Sequence, residues 1–272
     1  MSASHTPTHP LSLCVFLSHS LTHTPPRYFS SGLYRLREFV DYSDAETVAD
    51  LNTIAHAHVL TIDVDLDSRF TYNGVDVTDD GKLRILFEPE YLDTNISSAL
   101  DRDVLKRALN DADKDEAGTG LSFIARQTKR KEFDAQFEAV RKEIGEALAK
   151  PDIKLTPNLE DTFAKLKADA ASPKTQLDKK YWEEQLPSWT LKYFEGLLSQ
   201  LKWQKFNEDD MLQEGFNDAV DSGEIAFRIV DSLKEKSYCE FEIDGGVFYL
   251  QTTVKTWGTN IDAAAEGIVD KL

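Results

Sequence analysis

The chain is short of imidazole and thiol. Its six histidines, His5, His9, His19, His23, His56 and His58, all lie in the first quarter of the sequence. Any nucleophile in the body that needs an imidazole base would have to use His56 or His58. Their i to i+2 spacing falls where a helix is expected to give way to a strand, which is an ordinary setting for a boundary histidine. Two cysteines, Cys14 and Cys239, are too few for a disulfide framework and fit a reducing compartment. The same shortage excludes a Cys/His zinc centre. No glycine-rich phosphate loop or dinucleotide fingerprint occurs. No apolar run approaches the ~20 residues that span a bilayer, and the longest, residues 11–17, is far shorter, so stable membrane insertion is not expected.

Acids are missing from one place only. Residues 1–37 contain no Asp or Glu and hold Arg27, Arg35 and Arg37; subtracting that +3 from the chain's net −17 leaves −20 on residues 38–272. A body so acidic repels phosphate backbones, which argues against nucleic acid as a partner. The opening segment is rich in Ser, Thr, His and Pro. It is expected to be a disordered or cleavable leader that stays outside the fold. An Arg two residues before Phe29-Ser30-Ser31 resembles an organellar processing site. The alternative to a cytoplasmic chain is therefore the mitochondrial matrix, reached through residues 1–30. Pro7, Pro10, Pro25 and Pro26 count against the long amphipathic helix that such a signal needs.

The remainder is hydrophobic enough, at 41% of the whole sequence, to bury a core, and residues 38–272 are expected to form a single acidic domain. The strongest pattern is His58 to Phe87. Leu60, Ile62, Val64 and Leu66 alternate with Thr61, Asp63, Asp65 and Asp67, while Asn73-Gly74 and Asp79-Asp80-Gly81 have tight-turn chemistry, predicting a strand meander. A second period-two region, Tyr238 to Trp257, turns at Gly245-Gly246 and predicts a hairpin. Between them, roughly residues 91–234, helical stripes dominate. Phe133, Phe137, Val140, Ile144 and Leu148 make the cleanest one, and Leu191, Phe194, Leu198 and Leu201 another, in a helix expected to start at Pro187-Ser188. Shorter helices are expected over residues 42–56 with a Ser43 and Glu46 capping box, 159–170, 210–220, 222–233 and after Thr259. The fold class is thus α+β: a small antiparallel sheet built from the N-terminal meander and the C-terminal hairpin, covered by a largely helical middle.

Carboxylates are the chemistry most abundant here. Asp63, Asp65 and Asp67 repeat at about 7 Å along one expected strand face. With Asp76 and Asp79 nearby they form a candidate oxygen-ligand site for Ca²⁺ or Mg²⁺. The plainer reading is a wetted strand face whose charges are answered by Lys82 and Arg84 across the sheet. Asp111, Asp113 and Asp115 match the first spacings of a calcium loop, but Glu116 stands where the turn needs Gly and Ser122 where a bidentate Glu belongs. Arg126, Lys129, Arg130 and Lys131 are the one basic cluster, read as a solvated helix face. Tyr181, Trp182, Trp189, Tyr193 and Trp203 form the candidate ligand or partner surface, weighed against a role as core aromatics.

Together these features point to a soluble acidic protein that binds a protein partner or small ligand without catalysis of its own. The first alternative is a carboxylate-based or divalent-metal-assisted hydrolase, either a metal site or a pair of acids of raised pKa. The second is a membrane-active protein exposing its amphipathic helices.

Overall fold

The protein is described from a computed structural model covering residues 14–15, 25–92, 94–115 and 118–272. Residues 1–13 and 16–24, where most of the expected leader falls, lie outside the described residues. The fold is α+β, as the alternation of helical and period-two stretches requires, but it divides into two compact units, residues 1–116 and 117–272, where a single domain was expected.

The first unit begins with a two-residue strand, β1 (Cys14–Val15), then α1 (Pro25–Asp41), α2 (Ala45–Ile54), β2 (Val59–Val64), β3 (Asn73–Val77), β4 (Leu83–Phe87) and α3 (Arg102–Ala112). Its sheet runs β1-β2-β4-β3. β1 pairs parallel with β2, β2 pairs parallel with β4, and only β3 and β4 run antiparallel. The expected meander is therefore corrected. Asn73-Gly74 does not turn the chain; it opens β3, and the turn lies at Thr78 to Lys82, where Gly81 takes a φ of +76°.

Inner-face rows are apolar: Leu60 beside Leu83, then Ile62 beside Ile85 beside Val75, all at most 6% exposed. Helix α1 covers them. A Cβ on Gly32 would stand 2.9 Å from the Ile85 Cδ1 atom, so the helix comes closest to the sheet at the one residue of α1 without a side chain. Tyr28, Phe29, Leu36 and Phe39 are buried, with the Tyr28 ring centroid 5.8 Å from that of Phe87. Residues 25–37, assigned by their lack of acids to the leader, instead open helix α1, which buries Tyr28, Phe29 and Leu36. Composition showed only that residues 25–37 lack acids; burial is what the aromatics of the helix supply.

The second unit contains α4 (Phe123–Thr128), a π-helical turn at Lys129–Phe133, α5 (Asp134–Ala147), β5 (Lys154–Thr156), α6 (Leu159–Ala170), α7 (Trp182–Trp203), α8 (Asp210–Ala219), β6 (Glu224–Val230), β7 (Cys239–Asp244) and β8 (Val247–Thr253). Its sheet runs β5-β6-β8-β7, with β5 and β6 parallel, β6 and β8 parallel, and β7 and β8 antiparallel. That is the same plan as the first unit: strand, helical crossover, parallel strand, then a hairpin whose second strand inserts beside the second strand of the unit. The two period-two regions thus belong to separate sheets, which corrects the expected single sheet shared by both ends.

Ile225, Phe227, Ile229, Phe248, Leu250 and Phe241 make the buried face of this sheet, each at most 3% exposed. α5 and α7 contribute Val140, Ile144, Leu148, Leu191, Phe194, Leu198 and Leu201 to the same core, as their stripes require. Helix α7 starts five residues before the expected Pro187, which lies inside it without a donor to offer. Residues 222–233 are not a helix but mainly strand β6, which sends Ile225, Phe227 and Ile229 at every second position to the buried face. The expected helix after Thr259 is present only as two short 3-10 turns, Ile261–Ala263 and Ile268–Lys271. None of the described helices is long and apolar enough to cross a membrane.

Candidate functional site

A cavity of the first unit, with a volume of about 580 Å³, lies along β3, the edge strand of its sheet. Helix α3 supplies one wall through Val104, Arg107, Ala108 and Asp111. The strand supplies another through Val75, Asp76 and Val77, and the end of α2 adds Ile54 and, just beyond it, His56. Arg69 and Phe70 line it from the connection between β2 and β3, and Asp79, Asp113 and Lys114 line it as well.

Local sequence explains why these groups converge. Strand β2 ends at Val64, and Asp65, instead of continuing the alternation, turns inward until its side chain is only 1% exposed. Its Oδ2 accepts the Phe70 backbone N–H at 2.8 Å, which closes the turn, and its Oδ1 lies 3.6 Å from the Arg69 Nε. Phe70 then lies over Gly74. A Cβ there would meet the ring at 2.3 Å, so the absence of a side chain at 74 is what lets the aromatic rest on the strand. Leu66, expected to face the core, is 88% exposed because the strand has already ended.

Asp76 is the electrostatic centre of the wall. It accepts Arg84 Nε at 3.0 Å and Arg84 Nη2 at 2.8 Å from the neighbouring strand, and Arg69 Nη2 at 2.7 Å. Burial by itself would raise this carboxyl, but the hydrogen bonds from the two arginines outweigh it and hold Asp76 below the usual carboxylate range. Asp111 goes the other way. Asp111 is exposed, yet partial desolvation pushes its carboxyl up, and Arg107, one turn earlier on α3, compensates only in part. His56 covers Gly81 so closely that a Cβ on that glycine would fall 2.4 Å from the ring.

The proposed metal ligands have different surroundings. Asp63 is exposed, 4.0 Å from Arg84; Asp65 is buried and committed to the Phe70 turn; Asp67 is exposed; Asp76 is held by two arginines; and Asp79 lines the cavity. Among the described residues no group of three or more His, Cys, Asp or Glu is placed to hold a metal ion. Of the two cations expected to answer these acids, Arg84 pairs with Asp76 and Lys82 with Asp80 at 2.6 Å. Asp113 accepts the Asp115 backbone N–H at 2.9 Å, a local turn that ends α3.

The aromatic set is likewise split. Trp182 and Tyr193 are buried, at 5% and 0% exposure, and so cannot belong to a contact surface. Trp189 is half-buried with its ring 4.6 Å from that of Trp257. Only Tyr181 and Trp203 are exposed. Burial pushes the Tyr193 phenol up to about 12, and Tyr193 accepts the Gly258 backbone N–H at 3.3 Å. In the basic cluster, Arg126 is buried and donates to the Leu121 carbonyl at 2.8 Å, while Lys129 pairs with Asp134 at 2.7 Å.

Sequence reasoning passed over Arg69, Phe70 and Arg107. A signal existed for the pair: Arg69-Phe70 stands between an acidic strand end and a glycine, where a side chain can fold back on the sheet. No family model matches this chain, and no curated protein or solved structure matches it.

Proposed function

We propose that the protein binds a small molecule in the cavity between β3 and α3. The observation that carries this reading is the cavity itself. Its volume of about 580 Å³ falls inside the range of about 300–1,000 Å³ typical of ligand sites. Apolar walls from Ile54, Val75, Val77, Val104 and Ala108 offer burial, and a few charged groups offer orientation. The test is a ligand-observed NMR screen with the wild-type chain and two cavity-filling variants, Ala112→Phe and Val104→Phe. Fragments that bind the wild type should be lost from both variants while the variants keep the wild-type melting temperature. Fragments bound equally by all three chains would place binding elsewhere.

A second reading, acid–base catalysis, draws on two exposed lining residues of the cavity, His56 and Asp111, the latter with its carboxyl raised by partial desolvation. Turnover of p-nitrophenyl esters, phosphates or glycosides that vanishes in Asp111→Asn would favour it over binding alone.

A further inference from the structure

Resting on the reading that this cavity takes a ligand, the strand along it points to the class of that ligand. An edge strand meets a neighbour with only half of its backbone hydrogen-bonding groups, and β3 is such a strand. Bonds at its two ends fix which half. The Thr78 N–H donates to the Lys82 carbonyl at 2.9 Å and the Glu88 N–H to the Tyr72 carbonyl at 2.9 Å, so Thr78 with Lys82 and Tyr72 with Glu88 are hydrogen-bonded pairs. In an antiparallel ladder such pairs alternate with non-bonded ones. With Asn73 opposite Phe87 and Val77 opposite Leu83, Gly74 and Asp76 therefore bond β4, while Val75 and Val77 aim their N–H and C=O groups away from the sheet. Strand β4 keeps the same parity, since the Phe87 carbonyl accepts the Asp65 N–H at 2.9 Å on the side of β2.

Both valines line the cavity. Among the described residues their backbone N–H and C=O groups have no hydrogen-bond partner. Val75 is 3% exposed and Val77 half-buried, so this row of donors and acceptors is largely withdrawn from water. A buried backbone group left unpaired costs about as much as a lost hydrogen bond. We infer that the ligand is a short peptide in extended form, which adds to β3 as a further strand. Two donor and acceptor sets about 7 Å apart along one edge match the backbone of another strand. Peptide side chains on the face of Val75 and Val77 would meet Val104 and Ala108 of α3, and the alternate ones would lie on the face of Asp76. A second copy is poorly suited to supply this strand from its own β3, because its own α3 stands beside that edge.

The test uses the full chain and the pentapeptide acetyl-Thr-Val-Thr-Val-Thr-amide, with two further versions carrying Leu or Phe at both valine positions. When a peptide binds, amide hydrogen exchange at Val75 and Val77 should slow about tenfold or more, while exchange at Gly74 and Asp76, already bonded to β4, changes little. A strand turns alternate amides to one neighbour. N-methylation of both peptide valines and N-methylation of the last two threonines should therefore differ: one pattern weakens binding about tenfold or more, as expected for lost hydrogen bonds, and the other is tolerated. Val77→Pro removes a donor that β4 does not use and should weaken binding to a similar degree. Should that variant not fold, the methylated peptides make the same test on the wild-type chain. Equal effects of the two methylation patterns, or unchanged exchange at Val75 and Val77 with peptide bound, overturn strand addition. If Ala112→Phe still abolishes that binding, the cavity reading stands. Protection of Val75 and Val77 that grows with protein concentration alone overturns the peptide in favour of a second copy. No binding by any of the three peptides at millimolar concentration also overturns it. The fragment screen then decides the cavity separately: fragments lost from Ala112→Phe keep that reading, and no fragment bound sinks it.

Discussion

Asp76 and Arg84 face each other across β3 and β4 with a two-point contact, 3.0 Å at one end of the guanidinium fork and 2.8 Å at the other. A paired carboxylate on an edge strand fixes the wall of the cavity and ties the edge to the sheet. Removing one partner leaves the other partly desolvated. Arg84→Leu should cost about 1–3 kcal/mol in urea denaturation. Because the folded-state pKa of Asp76 is depressed, its contribution is present above the ordinary carboxylate value of about 3.9 and is lost as pH falls through the lower folded value. Asp76→Asn should therefore be less stable at neutral pH and show a shallower acid limb, and equal slopes for the two chains would contradict the pairing.

Helix α1 is expected to behave as core. Leu36 is 4% exposed, and Leu36→Ala should lower stability by about 2–5 kcal/mol. The measurement is the denaturation midpoint at unchanged m-value. A loss below about 0.5 kcal/mol, the size of an ordinary surface substitution, would mean that α1 does not pack as described.

Glu240 offers the sharpest test in the second unit. Although 4% exposed, it accepts the backbone N–H groups of Lys234, Glu235 and Lys236 at 2.9, 2.9 and 3.1 Å and the Gln251 Nε2 at 2.8 Å. Burial would raise this carboxyl, but the three backbone donors and Gln251 bring it below its ordinary value. The connection from β6 to β7 is thus anchored on a side chain, as Asp65 anchors the corresponding connection in the first unit. Glu240→Ala should cost roughly 2–3 kcal/mol and speed hydrogen exchange at 234–236. As with any depressed carboxyl, the wild-type advantage should fade as pH falls below about 4.3.

Cys239 should be inert. It is 2% exposed, its Sγ donates to the Asn260 carbonyl at 3.0 Å, and burial pushes its thiol up to about 11. In a Cys14→Ser background, Ellman's reagent at pH near 8 should react slowly with the folded chain and at once in denaturant. Rapid reaction of the folded chain would mean that β7 is open.

Much of the helical layer was legible in the primary structure. The stripes of α5 and the second half of α7 lie where period 3.6 puts them, because a surface helix has a single face to bury. Period two likewise located β2, β4, β7 and β8. It failed at β6, where Ala226 and Val230 on the outer face blur the alternation with Ile225, Phe227 and Ile229, so a strand reads as a helix. It failed again at Asp65, where a charged residue continued the pattern although the strand had stopped. The aromatic run was readable as aromatic but not as inside or outside; Trp182 and Trp203 bound the same helix and have opposite fates, 5% and 74% exposed.

The amino-acid order by itself determined the α+β class, the acidity of the body, the shortage of imidazole and thiol, and the turn at Gly245-Gly246, since these follow from composition, local period and backbone freedom. Only the tertiary structure decided that two sheets form rather than one, that Tyr28, Phe29 and Leu36 of the acid-free stretch pack as core, and that Ile54, Arg69, Asp76 and Asp111 line one cavity. Which strand pairs with which, and which carboxylate meets a guanidinium or none, depends on contacts between residues far apart in the chain, and no local pattern records those.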